Sequence, residues 1–144
     1  MGSPSVRLGV DDHRSLVLWA ADCAEHVLGV FEKTCPDDDR PRKAVEAARA
    51  WARGEITVGI ARKAALAAHD AARHTADPAA RAAAQAASHA AMTADAAGHA
   101  AHAATYAVTA VSSSEVSDPA AAAGERRWQR QQVPEHLVRV AFPA

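Results

Sequence analysis

The sequence predicts an all-α protein, a single-domain, alanine-rich bundle of about five to six helices, and three observations carry that expectation. Between Pro78 and Val111, 18 of 34 residues are alanine, the strongest helix former, and Asp77 stands before Pro78 as a ready N-cap. Along the chain the larger apolar side chains recur at steps of three and four, the helical period. No stretch alternates as a half-buried strand does, since the nearest, Glu55 to Ile60, is short and contains Gly59.

Residues 1–10 read as a loose lead-in, after which Asp11 and Asp12 offer an N-cap to a first helix ending near Lys33. Its Leu16, Trp19, Ala20, Cys23, Val27, Leu28 and Phe31 share one face. Two prolines and three aspartates between Cys35 and Pro41 cannot continue a helix, and Pro41 opens the second, which turns Ala44, Ala48, Trp51 and Ala52 inward and stops at Gly54. On its surface Arg42 with Glu46, and Glu46 with Arg49, have the spacing of weak intrahelical ion pairs. The third helix, about Thr57 to Thr75, sets Val58, Ala65, His69 and Ala72 on one line and Ile60, Ala64, Ala67 and Ala71 on the next, so His69 is expected inward.

One helix over 78–111 would be ~51 Å long, whereas a compact domain of this size spans under ~40 Å. The alanine tract is therefore expected to break at 93–98, where Thr93, Asp95 and Gly98 stand, giving helices at about 78–92 and 95–112. Ser112, Ser113 and Ser114 end the fifth helix, and Pro119 starts a sixth carrying Trp128. The tail, 133–144, has a turn after Pro134 and an apolar end, Leu137, Val138, Val140 and Phe142, expected to dock on the bundle. With few other bulky groups available, Trp19, Trp51 and Trp128 are expected to be buried and to fill most of the core.

In 144 residues there are 17 acidic and 16 basic side chains, a balance that gives no general field for nucleic acid or an anionic membrane. No window has transmembrane character and the N-terminus lacks signal-peptide features, so a cytoplasmic protein is expected. Cys23 and Cys35, 12 residues apart across a helix end, would stand roughly 18 Å from one another and remain free thiols. There is no phosphate loop, no dinucleotide fingerprint, no GxSxG elbow and no paired-cysteine zinc spacing.

What remains is a polar stripe through the alanine tract: Gln85, His89, Met92, Asp95, His99, His102 and Tyr106, at steps of three and four. Either alanines make the helix contacts and the stripe faces water, or the stripe lines an internal, histidine-bearing groove. In the second case His69, His89, Met92, His99, His102 and Tyr106 are the ligand-binding candidates. Asp95, His99 and His102, at i, i+4 and i+7, are also the donor set a zinc or ferrous ion accepts, with His89, Met92 or His69 as a further ligand; no cofactor is required. The same groups, His89, Asp95 and His99, are candidates for acid–base catalysis, because histidine titrates near neutral pH and a carboxylate orients it.

The segments LVLWAADCAEHVL, CPDDDRPRKAVEAARAWARGEI, ARKAALAAHDAAR, AASHAAMTADAAGHAAHAATYAVTAV and ERRWQRQQVPEHL together resemble the small helical putative immunity protein family of actinobacteria. The likeness runs from about Leu16 to Phe142, and the DDDRPRKAVEAARAW and ERRWQRQQVPEHL blocks are its most specific parts. It implies an all-α fold and an immunity or self-resistance protein that binds a toxin or a toxic small molecule without catalysis. The alternative is a small helical enzyme of a specialised biosynthetic pathway, using the His/Asp stripe for acid–base or metal chemistry. A homodimer packed through alanine faces is also expected, since small residues let helices come close.

Overall fold

In a computed structural model, which describes residues 8–113 and 119–143, the chain is all-α with no strand among the described residues. Its elements are α1 (Val10–Thr34), α2 (Arg40–Ala52), α3 (Val58–Arg73), α4 (Pro78–Met92), α5 (His99–Ser112) and α6 (Pro119–Gln132), followed by a 3-10 turn (Glu135–Leu137) and a last helical turn, α7 (Val138–Ala141). Ser114 and residues 1–7 of the lead-in lie outside the described residues.

Several boundaries are set by the caps the sequence offers. Asp77 accepts a hydrogen bond from the Ala80 backbone N–H at 2.9 Å and Thr57 one from Ile60 at 3.3 Å, opening α4 and α3. Gly54, at φ +78°, takes the left-handed conformation that ends α2. At α1 the expectation needs correction. Gly9 is the N-cap, and Asp11 and Asp12 sit inside the first turn, where their carboxylates face the positive end of the helix dipole.

α4 is the central rod, packed by α1, α2, α3 and α5. That position explains its composition. A helix enclosed on most sides has room only for methyl groups if its neighbours are to approach closely, and ten of its residues, nine of them alanine, are buried. The alanine ridges expected to serve a homodimer are thus largely occupied inside the monomer. Bulk is supplied from α1, where Leu16, Trp19, Leu28 and Phe31 are all buried.

The same economy of space reverses two expectations. On α3 the inward line is Ala61, Ala65, Ala68, Ala71 and Ala72, so Val58, Ile60 and Leu66 point outward and His69 lies on the exposed side. Trp51 and Trp128 are half-buried rather than internal: Trp51 packs beside His13 with ring centroids 4.8 Å apart, and Trp128 is stacked by His26. Only Trp19 of the three tryptophans is a core residue, 2 % exposed.

The α2 charges also act between helices and not along one. Arg42 forms a two-pronged pair with Glu32 of α1, at 2.7 and 2.6 Å, and Arg49 reaches both Glu25 and Asp22 of α1 at 2.7 and 2.8 Å. The expected pairs through Glu46 do not form, because these guanidinium groups turn to the denser carboxylate set on α1. Both cysteines are free; burial, then the Glu125 and Asp22 carboxylates, push the Cys23 thiol far up. Among the described residues no helix is long and apolar enough to cross a membrane.

Candidate functional site: a histidine groove between α3, α4 and α5

The polar stripe is folded in half. α4 and α5 pack together across the short 93–98 connector, so the α4 part of the stripe, Gln85, His89 and Met92, faces the α5 part, His99, His102 and Tyr106. α3 closes the third side with Leu66 and His69. Of the two readings open for the stripe, the groove is the one this packing produces. It is half-open, about 280 Å³ in volume, with Ser88 in its wall, and the Ser88 hydroxyl ties α4 to the Ala65 carbonyl of α3 at 2.8 Å.

Its geometry is ring against ring. The Nδ1 atoms of His89 and His99 are 3.0 Å apart, one donating to the other, and their rings are stacked at 5.2 Å. On the other side His89 stacks on Tyr106 at 5.2 Å with an interplanar angle of 13°. The His102 ring lies 5.3 Å from His89 and 5.9 Å from His99. At the rim His69 Nδ1 donates to the Gln85 amide oxygen at 3.1 Å. Five of the six ligand-binding candidates, His69, His89, Met92, His99 and Tyr106, therefore line one groove, together with Leu66, which the sequence reading did not single out; the sixth, His102, is exposed beside them and lines a different cavity. Leu66 is 54 % exposed, and a large aliphatic group held in water beside aromatic rings is the signal that adds it.

The groove favours the neutral forms of His89 and His99. Burial, then the like charges that His99, His102 and His69 would carry, push His89 down to about 4. His99 is lowered too, by burial and then by His102, with Asp95 opposing. A shared neutral pair of this kind can donate from one ring and accept at the other.

Asp95 is not part of the groove. α5 begins at His99 with Gly98 as its N-cap, not at residue 95, so Asp95 sits in the connector and its carboxylate pairs with Arg62 of α3 at 2.6 Å. The Asp95, His99, His102 set drawn on one continuous helix is therefore broken, as metal site and as catalytic group alike. Among the described residues no three His, Cys, Asp or Glu side chains converge to hold an ion.

A second polar cluster escaped the sequence reading. Glu125 and Gln129 of α6 are buried, and His26 Nδ1 donates to both Glu125 carboxylate oxygens at 2.8 and 3.1 Å while its ring stacks on Trp128 at 3.7 Å. The Gln129 side-chain amide donates to the Ala104 carbonyl of α5, and Trp19 Nε1 donates to the Gln129 backbone carbonyl, both at 2.9 Å. The cluster belongs to the ERRWQRQQ block, whose i, i+4 spacing of Glu125 and Gln129 puts both on one face of α6. The network joins α1, α5 and α6.

A model of the Imm-5 like putative immunity protein family matches residues 7–136. No curated protein and no solved structure matches the chain.

Proposed function

Because the chain belongs to the Imm-5 like putative immunity protein family, we propose that it is a cytoplasmic immunity or self-resistance factor that captures a toxin stoichiometrically, without catalysis. The histidine groove is the contact site in this reading. The observation that carries it is the placement of three histidines, His69, His89 and His99, with Tyr106 and Met92 around one half-open cleft, and exposed Leu66 as its lip. Such a cleft accepts one flat group: an aromatic side chain of a protein toxin, or a planar toxic small molecule, stacks on the rings while a neutral imidazole nitrogen takes a hydrogen bond. Its low local charge suits an uncharged group. A catalytic role is less well supported, since the carboxylate that would orient a groove histidine, Asp95, is engaged by Arg62.

The test is a binding and protection assay with the toxin encoded beside the gene. Leu66→Asp and His89→Ala should each weaken complex formation at least tenfold and remove protection of a toxin-expressing host, with the variants' helical circular dichroism unchanged. Full protection by both variants would move the contact site elsewhere, and turnover of the toxin by the wild type would replace capture with catalysis.

A further inference from the structure

A second cavity of about 440 Å³ lies between α5, α6 and the C-terminal segment, with His102 of α5 among its lining residues. We propose that it binds a small amphipathic organic acid, a molecule with an apolar body, one anionic group and an N–H or O–H donor beside it. The inference does not rest on toxin capture.

Each part of that description comes from a wall of the cavity. The floor is apolar, formed by Ala101, Ala104 and Val108, and Phe142 closes one end. Phe142 is held in place from two sides, edge-on to the Trp19 ring at 5.4 Å and beneath the Arg130 guanidinium at 4.7 Å. A ring fixed in this way offers a flat apolar surface at little entropic cost.

Arg126 supplies the charge. It lines the cavity from α6 and has no carboxylate partner among the described residues, unlike Arg40, Arg42, Arg49, Arg53 and Arg62. An uncommitted guanidinium is charged at every physiological pH and pairs with carboxylate, sulfonate or phosphate oxygens.

The opposite wall asks for a donor. Thr105, Thr109 and Ser112 follow one another at i, i+4 and i+7 on α5, and each hydroxyl gives its proton to the carbonyl four residues back, at 3.0, 3.1 and 2.9 Å. With those protons committed, the hydroxyl oxygens of these three lining residues are left as acceptors. The Gln129 amide nitrogen is likewise engaged by the Ala104 carbonyl. A ligand that satisfies both walls carries an anion toward α6 and a donor toward α5. The volume lies within the ~300–1,000 Å³ usual for small-molecule sites.

The probe is 1-anilinonaphthalene-8-sulfonate, which has the sulfonate, the anilino N–H and the apolar rings, titrated by fluorescence into the full chain at neutral pH. One saturable site is expected. Arg126→Gln should weaken it about tenfold or more, as for loss of a charge-assisted hydrogen bond. Thr105→Trp, at an exposed position on the wall, should fill the cavity and remove binding; His69→Trp, at the rim of the histidine groove, should not change it. N-acetylphenylalanine should displace the dye, and its uncharged amide should do so about tenfold less well. The absence of saturable binding, unchanged affinity in either cavity variant, loss of binding in His69→Trp, or equal displacement by the acid and the amide would each overturn the proposal. Near-ultraviolet circular dichroism matching wild type keeps these readings separate from unfolding.

Discussion

Along the seam between α1 and α6, His26 donates to a buried carboxylate and stacks on an indole, whereas in the α3–α4–α5 groove His89 and His99 find mainly one another and Tyr106. The seam satisfies each polar group with a complementary one: carboxylate with imidazole, amide with carbonyl, indole N–H with carbonyl. The groove gathers like groups, and burial then drives His89 and His99 neutral. Complementary partners stabilise the fold, while like partners add little to it and leave chemistry available to a ligand. His13, His74 and His136 follow the pattern of the seam, bonded to the Thr93 carbonyl, the Asp70 carbonyl and the Asp12 carboxylate.

The largest effect is expected at Trp19, the core anchor of the α1–α6 seam. Removing it takes away the largest core side chain and the donor to Gln129, so Trp19→Ala should cost about 3–5 kcal/mol and lower the melting temperature by roughly 10 °C or more. Trp51→Ala, at a half-buried position, should cost about half as much, and equal losses would show that α2 carries core weight the packing does not suggest. Next comes the seam against the groove. Glu125→Ala leaves His26 without its acceptor and the Gln129 amide with the Ala104 carbonyl alone, and should destabilise by about 1–3 kcal/mol, whereas His89→Phe, which keeps the stack with Tyr106, should stay within about 1 kcal/mol of wild type at pH 7.5. Reversal of that order in thermal or urea melts would erase the distinction.

Acid should separate the regions further. The unfolded chain protonates a histidine near pH 6.5, but folded His89 stays neutral down to about 4, and His99 is shifted the same way. Between those values the unfolded state binds more protons, so stability is fully present above about 6.5 and declines as pH falls toward 4. Melting should drop by roughly 3–6 °C from pH 7.5 to pH 5. His89→Phe should flatten most of that slope, and an unchanged slope would mean that the groove histidines are hydrated. The smallest effect belongs to Arg62→Ala. Loss of an exposed ion pair should change stability by less than about 0.5 kcal/mol, yet it strengthens the pull that the Asp95 carboxylate already exerts on His99. An NMR titration should then show His99 moving up toward its ordinary value, and no movement would mean that Arg62 does not shield it.

Much of the architecture was readable from residue type and spacing. Asp77-Pro78 and Thr57 mark helix starts, Gly54 marks a stop, and the length of the alanine tract alone required a break. The stripe of Gln85, His89, Met92, His99, His102 and Tyr106 was also legible, because alanine leaves the few larger side chains conspicuous. Where the reading failed, it extrapolated one helix or one face too far. Asp95 shared a phase with His99 only on a continuous helix, and Glu46 looked like the partner of Arg42 and Arg49 only with α1 out of view.

The all-α class, the six main helices and the hairpin break were already present in the sequence, since these follow from propensity, capping and local period, which act within a few residues of chain; the family was present there as a resemblance of whole sequence blocks. Only the tertiary structure decided that α4 lies at the centre, that His69 and Leu66 sit at the lip of the groove, that Arg62 takes Asp95, and that Glu125 is buried beside His26. Those outcomes depend on which helix packs against which, through contacts made across 16 to 99 residues of sequence, as in His69 with Gln85 and His26 with Glu125. In a chain so rich in alanine, methyl faces can pack in many ways, and the few large or charged side chains select among them through contacts that local periodicity does not encode.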